Sequence, residues 1–319
     1  TVSGPITALG GTGASSGTGG LVTLQATGDG GISQPESGAA IKAKRVKLTS
    51  HSDFQLQSLS GTLSLLDPTN EIRELALNTL GNTVNFHQQD LTVVNSTDLS
   101  IVSANTLGRG QMTFDVGNNA LLVVEQLRTG GDALTVTAGS FRTESFGVVR
   151  TGGGALDLSS VVGDVWIEAS IDTNGGDFTI GSGSSSGDIM IDAAVSLGGG
   201  NFTAIGSSFT LDEHDLSNTG FTLSGGDFDL RGITGAVQLY ESISTGGGNF
   251  YSGGTGFTAG DEIYITNEGL STSGGQIDLS GHTGSVSVLA DYFFDTDGGD
   301  FLATGLSDFS LFSLLIFSG

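Results

Sequence analysis

Short runs in which apolar and polar residues strictly alternate recur along the chain. In GDVWIEA, from Gly163, the residues Val165, Ile167 and Ala169 point one way and Trp166 and Glu168 the other. GDIMIDA from Gly187, GAVQLYE from Gly235, GDEIYIT from Gly260 and GSVSVLA from Gly284 repeat the pattern. Alternation of this kind predicts strands with one buried face. Only DPTNEIRELALNTLG, residues 67–81, has a helical look. It reads either as a short helical turn or as a strand, EIRELALN, with an acidic-basic outer face.

A second mark sets the period. A Gly-Gly pair, a small or polar residue and then an apolar one recur with the last glycine at 131, 154, 176, 200, 226, 248, 275 and 299. The mean interval is 24 residues. A third short segment precedes each pair: SIDT, VSL, FTLS, SIST, GLSTS. A unit of two or three short strands cannot close a core alone, but units stacked in register can. The chain is therefore expected to be all-β, a β-solenoid of the right-handed parallel β-helix type with rungs of about 24 residues. Phe178, Phe202, Phe228, Phe250, Ile277 and Phe301 follow the glycines and are expected to form a ladder through the core. Residues 1–130 read as less regular rungs and 131–305 as regular ones, in one continuous body. Residues 306–319, LSDFSLFSLLIFSG, form a densely apolar terminal strand. It is the interior of a last rung, a cap, or an assembly contact through Phe309, Leu311, Phe312, Leu314, Leu315, Ile316 and Phe317.

Composition narrows the classes. Glycine is 54 of 319 residues and proline only 3, without the period of collagen. There is no cysteine, which excludes disulfides, thiolate metal sites and cysteine nucleophiles. No apolar run is long enough for a membrane helix, so membrane insertion is not expected. TVSGPITALGG has no signal-peptide pattern, so the chain reads as mature, processed or part of something longer.

Charge is lopsided. Residues 1–150 hold 12 acids and 9 bases, and residues 151–319 hold 22 acids and one base, Arg231. The formal charge of −24 argues against nucleic acid or an anionic membrane as partner. Dispersed acids keep a long β-surface soluble and discourage lateral pairing. The basic strand IKAKRVKL is expected to send Lys42, Lys44 and Val46 one way and Arg45 and Lys47 the other, and to pair with the acidic half of a neighbouring molecule.

Candidate chemistry is sparse. LDEHDL gathers Asp212, Glu213 and Asp215 around His214, a candidate Ca²⁺ or Mg²⁺ set or else a solvated turn, since adjacent residues of a strand cannot all point at one ion. Asp227, Asp229 and Arg231 alternate outward, as a carboxylate pair for sugar cleavage or as a salt-bridged surface. Asp177, Asp227 and Asp300 recur at rung spacing, as do Asp172 and Asp192, and stacked carboxylates would repel unless Ca²⁺ bridged them. Acidic substrates would be repelled by the C-terminal half. His51, His87 and His282 read as isolated surface residues, and Trp166 and Tyr240 as outward aromatics available to sugars. No phosphate loop or nucleophile elbow is present, and no catalytic or cofactor-binding residue is assigned.

The units SISTGGGNF, GDIMIDAAVSLGGGNFTA and GDVWIEASIDTNGGDFTI resemble the repeats of filamentous-haemagglutinin-type exoproteins and related bacterial β-strand-repeat surface proteins. The resemblance covers residues 130–305 well and 1–130 loosely. It implies an extracellular or cell-surface rod of bacterial origin, with adhesive or matrix roles and a host or cell-surface glycan as partner. The Asn-Pro motifs of that family's secretion domain do not occur here. The expected function is a non-enzymatic structural and adhesive rod that self-associates end to end. The alternatives are a carbohydrate-active β-helix enzyme and a Ca²⁺-binding surface module.

Overall fold

The structure, a computed structural model, describes residues 4, 6–7, 20–27, 32–51, 60–80, 88–106, 110–181, 187–212, 220–260, 269–289 and 292–311. It is all-β, with parallel strands stacked as a β-solenoid whose turns are about 24 residues apart. A regular turn has three short strands, for example Phe178–Ile180, Asp188–Ile191 and Val195–Ser196. Each pairs with its counterpart one turn on, Phe202–Gly206, Ser208–Leu211 and Phe221–Thr222. Three columns of strands thus run along the body.

The inward residue of the first column is set by register. Leu91, Met112, Leu134, Leu156, Phe178, Phe202, Phe228, Phe250, Ile277 and Phe301 are successive partners. The first nine are fully buried and Phe301 is half-buried. The phenylalanine rings meet at 5.3 Å (Phe178–Phe202), 4.7 Å (Phe202–Phe228) and 5.4 Å (Phe228–Phe250). Only the last pair is stacked; the other two are tilted by 61° and 45°. Edge-on and tilted contacts suit the ring quadrupole better than a face-to-face file and add about 0.5–1.5 kcal/mol per pair. Phe221 of the third column lies 4.7 Å from Phe202 and 4.8 Å from Phe228, so the middle of the rod is packed by aromatics from two columns.

The corner after the third column explains the Gly-Gly mark. At Gly199 the backbone has φ +112, which side-chain-bearing residues rarely adopt. Gly200 does not, but a Cβ there would sit 2.1 Å from the carbonyl oxygen of Gly176 on the preceding turn. One glycine bends the chain and the next lets two turns touch. A buried threonine closes most of these corners: the hydroxyls of Thr173 and Thr272 donate to the carbonyls of Gly176 (2.5 Å) and Gly275 (2.6 Å). Leu197 and Leu223 take that place on the aromatic-rich turns.

The N-terminal turns use amides instead. Asn70 Oδ1 accepts from the Ile41 N–H (2.7 Å) and from Gln34 Nε2 (2.9 Å). Asn95 both accepts from the Ile72 N–H and donates to the Ile72 carbonyl, each at 2.8 Å. Beside them Asp67, 2% exposed, accepts from the hydroxyl and N–H of Thr69 and the N–H of Ala39. Those hydrogen bonds hold its carboxyl below the usual range.

Within the stretch 67–81, Glu71–Leu80 is a strand, and its helical look comes from a slip in the alternation at Arg73–Glu74. In Ile41–His51 the alternation slips at Lys44–Arg45, where both residues are exposed, and Val46 is fully buried. The expected orientation of Val46 alongside Lys42 and Lys44 is therefore corrected. The paired strand skips one residue at the same place, from Ile72 to Glu74. The basic residues meet acids of their own chain: Lys42 pairs with Glu71, and Arg45 Nε donates to Glu74 at 2.7 Å.

Candidate functional site

The outward side chains form files along the rod, and the expected stack of Asp177, Asp227 and Asp300 is broken up by amides. Asp177 Oδ1 accepts from the N–H (2.8 Å) and Nδ2 (3.2 Å) of Asn201. Asn201 Oδ1 accepts from the Asp227 N–H at 2.9 Å, and Asn249 Oδ1 from the Gln276 N–H at 2.9 Å. Carboxamides separate the carboxylates of this file, so no two of them face each other across adjacent turns and the stacking that suggested a bridging cation does not arise here. Asp172 likewise faces Arg150 and Ser196 in register, not Asp192.

Asp227 and Asp229 are engaged differently. Arg231 Nη2 lies 2.6 Å from Asp229 Oδ2, and the guanidinium sits 4.3 Å above the Tyr251 ring centroid. Burial pushes the Asp229 carboxyl up, but the hydrogen bonds and charge of Arg231 outweigh it and hold it down. Asp227 is tied to Asn249. Similarly, Arg142 stacks 4.4 Å from the Trp166 centroid while donating to Glu168 at 3.1 Å, so the cation occupies one Trp166 face.

His282 is not a surface residue. It is 2% exposed, with Nε2 2.9 Å from Ser252 Oγ and its ring edge-on to Phe257 at 5.4 Å. Burial lowers its pKa to about 4. The reason is a slip in the alternation of Ile277–Val288: Ser280 and Gly281 are both exposed, which turns His282 inward.

Asp212 follows the strand Ser208–Leu211, its N–H donating to the Ile191 carbonyl at 2.9 Å, while Glu213 and Asp215 lie outside the described residues. Among the described residues no three His, Asp or Glu side chains converge as a metal set. Phe309 and Leu311 continue the second column as partners of Val286 and Val288. Phe312, Leu314, Leu315, Ile316, Phe317, His87 and most of GDEIYIT lie outside the described residues.

A concave surface lies on the third column. A shallow groove of about 560 Å³ opens at Asp172 and runs past Ser196, Thr222 and Ser244, which are register partners on consecutive turns. Ser170 and Ser242 add hydroxyls along it. Sequence reasoning recognised the segments SIDT, VSL, FTLS and SIST as strands but did not superpose them. Doing so aligns Asp172, Ser196, Thr222 and Ser244, the signal that was available.

The resemblance to haemagglutinin-type repeats rests on the repeat pattern alone, because no family model, curated protein or solved structure matches this chain.

Proposed function

We propose that the chain is an extracellular or cell-surface structural rod with an adhesive role, which associates end to end. The observation that carries this reading is the unbroken register of the stack: Phe178–Ile180, Phe202–Gly206, Phe228–Ile233, Phe250–Ala259 and Ile277–Val288 each pair in parallel with the turn before and the turn after. A stack of this kind grows by repeating one backbone pairing, which a second copy can continue. Head-to-tail contacts that do not close give filaments. The reading assigns no catalytic residue. Sedimentation over a wide concentration range with negative-stain imaging tests it: rods should lengthen by whole molecules along the stacking axis. A monomer that persists at high concentration would sink the assembly part.

A further inference from the structure

The outward file of the third column reads Arg128, Arg150, Asp172, Ser196, Thr222, Ser244, each in register with the next. Arg128 and Arg150 therefore sit on adjacent turns, with backbones about 4.8 Å apart. Like charges rooted on adjacent turns repel, and an anion near them relieves that repulsion. Arg150 has a loose partner, its Nε being 3.7 Å from Asp172 Oδ2, with both side chains about half exposed. A pair of that kind is weak and easily exchanged. Among the described residues Arg128 has no ion pair, although its side chain is partly exposed. A guanidinium in that state can take a carboxylate on its outer nitrogens.

The groove begins one turn beyond Arg150, and its volume of about 560 Å³ is in the range of small-ligand sites. The strands beneath it are paired on both sides, so a peptide has no free backbone to extend. What it offers is a line of hydroxyls on consecutive turns, able to donate or accept, which suits another hydroxyl-bearing chain. We propose that Arg128 and Arg150 bind the carboxylate of an acidic sugar chain whose hydroxyls lie along Ser196, Thr222 and Ser244. This deepens and rests on the adhesive part of the proposed function, and is independent of end-to-end assembly. The strongly acidic C-terminal half repels such a chain at long range, but screening over about 8 Å at physiological salt leaves the arginine pair in control locally.

Calorimetry of the full chain with a short uronic-acid oligomer, a neutral oligomer of the same linkage and an oligoglutamate tests the site. The uronic-acid oligomer should bind at least about tenfold more tightly than either of the others, and Arg128→Gln or Arg150→Gln should each weaken it about tenfold. Thr222→Val with Ser244→Ala should weaken it severalfold. Should Arg128→Gln fail to fold, Arg150→Gln carries the test, its side chain being half exposed. Equal binding of the two polyanions, no effect of the arginine changes, or no binding of the uronic-acid oligomer overturns the proposal. Attachment of the double arginine variant to a sugar-coated surface at wild-type strength overturns this site alone. Failure of the wild-type chain to attach removes the adhesive reading itself.

Discussion

Asp227 Oδ1 accepts both the backbone N–H of Asn249, at 2.7 Å, and its side-chain Nδ2, at 3.1 Å, across two turns of the solenoid. The pair works because one member is charged and the other is not.

Asn249→Asp should therefore destabilise the rod by roughly 0.5–1 kcal/mol, because like charges would face each other across adjacent strands and the Nδ2 donor would be lost. Urea midpoints at low and high salt check this. The loss should shrink as salt rises, and a salt-independent effect would point to packing instead.

Gly199 and Gly200 should respond differently to alanine. Gly200→Ala must push two turns apart, since its Cβ meets the Gly176 carbonyl oxygen at 2.1 Å. A loss of about 3 kcal/mol or more is expected. Gly199→Ala meets nothing closer than 4.0 Å and carries only backbone strain, about 1–2 kcal/mol. Thermal unfolding of both variants should rank them in that order.

Thr173→Val removes the hydroxyl that bonds to the Gly176 carbonyl while keeping the shape. About 1–2 kcal/mol should be lost. The same corner is built around Leu197 and Leu223 elsewhere, so the variant should still fold, as its circular dichroism would show.

His282 should make stability fall in mild acid. Its folded pKa, about 4, lies below the 6.5 of the unfolded chain, so the unfolded state binds the proton first. The contribution is complete above pH 6.5 and is lost as pH falls toward 4, by roughly 1–3 kcal/mol in all. Urea midpoints at pH 7 and pH 5 should differ in the wild type, and His282→Leu should flatten that difference.

The strand alternation, the period of 24 and the Phe178, Phe202, Phe228 series are written in the chain itself, because stacking demands the same side chain at the same step of every turn. The buried threonines before the glycines were legible too, had their spacing been followed. The outer files were not. Intervals between glycine marks vary from 22 to 27 residues, so which outward residues face each other depends on how each turn spends its extra length at corners. Only the folded register put Asn201 between two aspartates, Arg128 beside Arg150, and the hydroxyls of Ser196, Thr222 and Ser244 in one line. One-residue slips within long strands turned Val46 and His282 inward against the simple alternation. A periodic pattern is local and fixes which face is apolar, whereas the pairing of polar neighbours across turns is a long-range relation that only the closed backbone decides.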